Sequence, residues 1–225
     1  MKKYNAAIFD VDGTVLNTAE GIISSVIYAI KFMGYDIPPH KILNACIGPP
    51  IQDSLKKIFD IDGDKLLEMT DVFREHYKNV DLLKAKKYYG IDALLTELCA
   101  NDCCVGFATY KRQDYAEKLI NYFGFSKYTD VICGSDFEGK LKKHDIIENA
   151  INRLKIDKRD RVIMIGDTIY DSMGAEKSNI DFIGVTYGYG YQKGITISRE
   201  KKLIALADSP MEIIELLYGR NLNEN

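Results

Sequence analysis

The sequence predicts an α/β protein, a parallel sheet between helices, with an all-helical segment inserted early in the chain. Three observations point there. Several short apolar runs lack the alternation of a half-exposed strand, amphipathic helical patterns separate most of them, and the stretch after the first run contains helical patterns alone. Unalternated strands are covered on both faces, as parallel sheets are.

The first run, Tyr4-Asn5-Ala6-Ala7-Ile8-Phe9, stops at Asp10, and Gly13 breaks the chain just after it, which reads as a buried strand and a tight turn. The insertion follows. Helical patterns are expected over 19–33 (closed by Gly34), 39–45, 51–59 and 64–79. An all-helical block between two strands of one sheet reads as a second domain, so the expected division is 1–16 with 85–225 against 17–84. Ile91, Leu94, Leu95, Leu98 and Cys99 then form one helical stripe leading to the apolar run 104–108, which ends at Thr109. A shorter run, 131–133, precedes the stripe Ile146, Ile147, Ala150, Ile151 and Leu154, and the run 162–166 ends at Asp167. Phe182-Ile183-Gly184-Val185 is a further short strand. Ser209-Pro210-Met211-Glu212 supplies an N-cap, a first-turn proline and a capping-box glutamate for a last helix. The polar end, 219–225, is expected to fray.

Composition narrows the partners. Hydrophobic residues at 46%, charged residues at 28% and a formal charge of −3 suit a soluble globular chain and supply no basic face for nucleic acid. No segment reads as a signal peptide, membrane span or amphipathic anchor. The five cysteines (Cys46, Cys99, Cys103, Cys104, Cys133) lack CxxC spacing, so free thiols in a reducing compartment are expected, and with them a cytoplasmic location. His40, His76 and His144 are scattered and read as solvated or structural. Neither oligomeric state, monomer or homodimer, is favoured.

Asp10, Thr109 and Asp167 each close an expected strand, and in open parallel sheets those ends border the binding crevice. Asp12 and Asp171 lie two and four residues beyond Asp10 and Asp167. Carboxylates gathered there repel, at roughly 4 kcal/mol per pair about 4 Å apart for an effective dielectric near 20. Hard oxygen ligands with room for water favour Mg²⁺ as the neutralising ion. Taken alone, Asp10-Val11-Asp12-Gly13 would be a turn, and Asp167-Thr168-Ile169-Tyr170-Asp171 a helix N-terminus.

Together these segments resemble the haloacid dehalogenase superfamily. Phe9-Asp10-Val11-Asp12-Gly13-Thr14-Val15 is similar to its first motif, Thr109 with Lys111 to its second, and Gly166-Asp167-Thr168-Ile169-Tyr170-Asp171 to its fourth. Its third motif is a lysine before a helix; Lys143 has the matching spacing, with Lys142 and Lys140 as alternatives. Tyr88-Tyr89-Gly90-Ile91 resembles the return from a helical cap, Cys46-Ile47-Gly48-Pro49-Pro50 a substrate-specificity loop, and the segment 185–190 a late loop of the phosphoglycolate phosphatase-like branch. The resemblance implies a Rossmann-like core carrying a helical cap. It also implies a Mg²⁺-dependent phosphatase acting on a small phosphorylated metabolite.

The implied roles are specific. Asp10, ionised at neutral pH, attacks phosphorus; Asp12 protonates the leaving alcohol and later activates water. Dehalogenases of the superfamily lack an acid at the position of Asp12, which favours phosphoryl transfer. Mg²⁺ is assigned to the Asp10 carboxylate, the Asp12 carbonyl and Asp167, with Asp171 behind these ligands or reached through water. Thr109, Lys143, Gly13, Tyr110 and, from the cap, Gly48 make up the substrate and phosphate set, and Gln52 and Lys56 are candidate leaving-group contacts. Competing readings are a nucleoside monophosphate phosphatase, a phosphomutase on the same core, and a receiver-like phospho-aspartate switch, the last disfavoured by chain length and the inserted helices.

Overall fold

The computed structural model describes residues 4–192 and 201–219. The expected frayed tail lies, from Arg220 onward, outside the described residues. Six strands form one wholly parallel sheet: β1 (Ala6–Phe9), β2 (Cys104–Arg112), β3 (Ile132–Ser135), β4 (Val162–Gly166), β5 (Asp181–Val185) and β6 (Leu203–Ala207). Their spatial order is β3-β2-β1-β4-β5-β6, the order of a Rossmann-type sheet. The chain builds outward from β1 in one direction and then, from β4, in the other. The crevice at the reversal therefore opens between the C-terminal ends of β1 and β4.

The helices, in chain order, are α1 (Ala19–Phe32), α2 (His40–Leu43), α3 (Ile51–Phe59), α4 (Gly63–His76), α5 (Ile91–Ala100), α6 (Gln113–Tyr122), α7 (Lys143–Leu154), α8 (Ile169–Lys177) and α9 (Pro210–Tyr218). The chain divides into two compact units, residues 1–16 with 87–225 and residues 17–86. Within the second unit, which holds α1 to α4, α1 packs on α4 and α3 on α4. Helix α4 ends at His76 and passes into a π-helical turn, Tyr77–Asp81, in place of the longer helix expected over 64–79. There the buried Asp81 carboxylate accepts from Ser25 Oγ (2.8 Å) and pairs with Lys84 (2.7 Å), bracing the end of this unit against its first helix. The segment expected to be helical over 39–45 is split, α2 being followed by a 3-10 turn at Asn44–Cys46.

In the sheet unit, Ala6 and Ile8 join Met164, Phe182 and the stripe Ile146, Ile147, Ala150 and Ile151 of α7 in one buried cluster. Ala7 and Phe9, pointing the other way, are equally buried, and Phe9 meets Phe107, which in turn meets Phe125. Both faces of β1 are thus covered, which is why its apolar run does not alternate. Helix α9 forms with Ser209 accepting the Glu212 amide at 3.2 Å. Two strand expectations need correction. Strand β2 does not stop at Thr109 but runs to Arg112, with a register shift against β3 between Ala108 and Arg112. Strand β6 was not expected from the sequence, and most of it is only partly buried. Among the described residues all five cysteines are free, and no helix is long and apolar enough to cross a membrane.

Candidate active site

Asp10 leaves β1 and Asp167 leaves β4, the two strands that flank the reversal, and the Asp10 amide donates to Ile165 O at 2.9 Å. The sheet thus sets the two acids side by side although 157 positions separate them. Asp171 arrives from the first turn of α8. Thr168 caps that helix, and its amide and hydroxyl donate to Asp171 Oδ2 at 2.9 and 2.7 Å. Oxygens of Asp10, Asp167 and Asp171, all three buried, lie within 4.8 Å of one another.

Lys143, the first residue of α7, sends its ammonium into this cluster. Its Nζ donates to Asp10 Oδ1 and meets Asp171 Oδ1, both at 2.6 Å, with only 4% of the side chain exposed. Lys142 instead occupies the exposed N-cap of α7, and Lys140 is exposed and paired with Glu138. Of the three candidate lysines, the fold brings Lys143 to Asp10. Its amide is held as well, because it donates to the Tyr110 hydroxyl at 3.0 Å. Tyr110, expected among substrate-binding residues, thus has its hydroxyl oxygen anchored on the backbone that presents Lys143.

Thr109 is buried, and its Oγ1 accepts the Lys111 amide at 3.2 Å. Asp12 stands apart from the trio: its Oδ2 pairs with Lys111 Nζ at 3.0 Å. Gly13 turns the chain with φ +78°, and a β-carbon there would collide with the Asp167 carboxylate. Gly188 approaches as closely, and a β-carbon there would strike both Asp167 and the Gly13 carbonyl. Only glycine permits such approach. The loop 187–191 consequently wraps Asp167: the Tyr189 amide donates to its Oδ2 at 2.7 Å and the Tyr191 amide to its carbonyl at 2.9 Å. Gly48, Gln52 and Lys56 belong to the second unit, Gly48 in a loop with φ +98° and the other two on α3.

Burial pushes the Asp10 carboxyl up to about 7; Lys143 opposes this, and Asp171 and Asp12 add to it. Asp167 is driven well above the usual carboxylate range by burial and by Asp171 and Asp10. Burial works against the Lys143 ammonium, but Asp10 and Asp171 outweigh it and hold its pKa above the ordinary value. Four carboxylates thus face two ammonium groups, an excess of two negative charges when all are ionised. Asp167 Oδ1 is buried with no hydrogen-bond partner. An orphaned carboxylate oxygen beside two more carboxylates, all hard oxygen donors, fits a divalent cation such as Mg²⁺.

The model of the haloacid dehalogenase-like hydrolases matches residues 7–185, a span that begins in β1 and ends with β5. The chain belongs to the haloacid dehalogenase-like hydrolase family. This hydrolase is an enzyme of the phosphatase type. A solved structure, a predicted phosphatase from Clostridium acetobutylicum, is 33% identical and superimposes with a TM-score of 0.84, covering 96% of this chain and 97% of its own. A 5′-nucleotidase of Pseudomonas aeruginosa is 29% identical over 84% of this chain and 85% of its own length. A phosphoglycolate phosphatase of Yersinia pestis is 24% identical over 91% of this chain and 90% of its own.

Sequence reasoning passed over two features of this hydrolase's site. Lys111 was noted only as part of a motif, although residues two apart on a strand share a face, so Thr109 and Lys111 could have been placed together. Gly188 and Gly190 entered only as part of a late loop, although their close spacing marks a tight turn that can approach a neighbouring side chain.

Proposed function

We propose that this hydrolase cleaves the phosphate monoester of a small metabolite, with Mg²⁺ as cofactor and a phospho-aspartate on Asp10 as intermediate. The observation that carries this reading is the Asp10 carboxylate held at 2.6 Å by Lys143 inside a buried acidic trio. A carboxylate in that setting is a positioned nucleophile. The Asp10 carboxyl, pushed up to about 7 chiefly by burial, would be only partly ionised near neutral pH, so its reactive form depends on added positive charge. Asp10, Asp167 and the Asp12 carbonyl would hold Mg²⁺, with Asp171 outside them, and the ion would neutralise carboxylate and phosphoryl charge.

The chain's own residues carry the steps. An Asp10 oxygen bonds to phosphorus as the ester P–O bond breaks, and Asp12 gives its proton to the departing alkoxide. Lys143 balances charge on the nucleophile and the phosphoryl group. Thr109, whose oxygen already accepts the Lys111 amide, keeps its own proton to donate to a phosphoryl oxygen. Asp12 then takes a proton from the water that attacks phosphorus, releasing phosphate and regenerating Asp10.

For the leaving group, the late loop resembling the phosphoglycolate phosphatase branch supports a small acid ester, and the similarity to a 5′-nucleotidase supports a nucleoside monophosphate. The inserted unit is read as a cap that selects among them through Gly48, Gln52 and Lys56. The free thiols support a cytoplasmic setting. A panel of phosphate esters including 2-phosphoglycolate and nucleoside 5′-monophosphates, assayed for phosphate release with Mg²⁺ and with EDTA, tests the reading. Release that needs Mg²⁺ is expected. Isomerisation of a sugar phosphate without release would make the chain a mutase, and undiminished release in EDTA would remove the metal.

A further inference from the structure

Lys111 is a buried ammonium to which the reaction sequence above gives no task for its charge. Its Nζ lies 3.0 Å from Asp12 Oδ2, with 5% of the lysine side chain and 10% of the aspartate side chain exposed. Taking both ions out of water is costly, and an apolar pair of similar volume would serve a purely structural purpose as well or better. The local backbone is unusual too. Strand β2 shifts register against β3 between Ala108 and Arg112, and irregularities of this kind beside active sites re-aim side chains. Within that stretch the Lys111 amide donates to Thr109 Oγ1, and the Tyr110 hydroxyl accepts the Lys143 amide. The two lysines divide three of the four carboxylates between them. Lys143 takes Asp10 and Asp171, and Lys111 takes Asp12.

We propose that Lys111 is a positioning residue for Asp12, fixing the plane of its carboxyl and so the line along which the proton passes to the leaving oxygen. This rests on the phosphatase reading and on Asp12 as its acid. The ammonium neither donates the transferred proton nor bonds to phosphorus. It acts through Asp12, so its loss is felt in proportion to how much the leaving group needs a proton.

That dependence supplies the test. An alkyl phosphate must be protonated as it leaves, whereas p-nitrophenolate departs as a stable anion. Values of kcat/KM are measured for p-nitrophenyl phosphate and for glycerol 3-phosphate, and their ratio within one preparation is independent of the fraction folded. Lys111→Met should lower the alkyl value by about 10²-fold and the aryl value by less than about threefold, since a placed acid is worth 10²–10⁴. Lys111→Gln should behave likewise should the methionine variant fail to fold, and Lys111→Arg should keep the wild-type ratio. Equal loss on both esters, with weaker inhibition by inorganic phosphate, would overturn the proposal and make Lys111 a phosphate ligand; an unchanged ratio would overturn it as well. Asp12→Asn separates the two layers. Its failure to show the selective loss sinks the acid assignment, whereas a selective loss in Asp12→Asn but not in Lys111→Met sinks only the proposal for Lys111.

Discussion

Replacing Asp10 by asparagine should make the metal-free protein more stable at alkaline pH, although the substitution removes a buried partner of Lys143. Burial pushes the Asp10 carboxyl up to about 7 in the folded chain, against about 3.9 for an unfolded aspartate. The folded state therefore binds the extra proton between about pH 4 and pH 7. The stability this provides is complete below about pH 4 and is lost as the pH rises through 7. At about 1.4 kcal/mol per pH unit, ionising Asp10 costs the fold about 4 kcal/mol by pH 8. Asparagine approximates the neutral carboxyl and does not titrate. In EDTA at pH 8 the variant should thus be more stable by up to about 4 kcal/mol, or about 8–16 °C in Tm for a chain of this size. At pH 5 the gap should narrow to about 1.5 kcal/mol. The acids held below the usual carboxylate range, such as Asp114 beside Arg112 and Glu148 beside Arg159, change stability with the opposite sign. They do so below about pH 4.5, and equally in both proteins. Mg²⁺ at a hundredfold excess over its Kd should add about 2.7 kcal/mol to the wild type and much less to the variant, which lacks a ligand. Thermal denaturation followed by circular dichroism from pH 5 to pH 8, in EDTA and in Mg²⁺, measures all of this. A wild type as stable as the variant at pH 8 in EDTA would refute the account of a crowded, cation-seeking carboxylate cluster.

Three further outcomes follow from the geometry. Lys143→Met should lower kcat by about 10²-fold or more through loss of charge stabilisation, while Lys142→Met stays within about twofold in steady-state assays; the reverse would move the third motif to Lys142. Gly188→Ala would drive a methyl group into Asp167 and the Gly13 carbonyl, costing about 1–3 kcal/mol and abolishing the rise in Tm on adding Mg²⁺; a rise of wild-type size would show that this loop does not set Asp167. Tyr110→Phe removes the acceptor for the Lys143 amide, destabilising the fold by about 1–3 kcal/mol and lowering kcat with KM unchanged. A raised KM with normal kcat would instead return Tyr110 to the substrate site.

The sheet was legible because its strands are buried on both faces, and the acids were legible because each ends such a strand. Asp10 and Asp167 needed no knowledge of strand order to be chosen. Their placement did: only the reversal between β1 and β4 brings them together. Spacing favoured Lys143 but left Lys142 and Lys140 open, since all three lie at or just before the start of one helix. What separates them is rotation about the chain at the helix start, where residue 142 caps outward and residue 143 begins the helix facing the cluster. The task of Lys111 was hidden for a related reason, because its partner Asp12 sits 99 positions away and the continuation of β2 past Thr109 runs through polar residues. Strand β6, Leu203–Ala207, is an unalternated apolar run like the others and could have been read as a strand; its position at the sheet edge leaves most of it only partly buried.

The central claim is that Asp10 itself carries the phosphoryl group. Acid quenching during turnover, followed by mass spectrometry of the peptide that contains residue 10, reads it directly. The expected result is one phosphoryl group on Asp10, absent from Asp10→Asn, which should also release no phosphate. Turnover at the wild-type rate by Asp10→Asn, or a phosphoryl group found on a different side chain, would contradict the account.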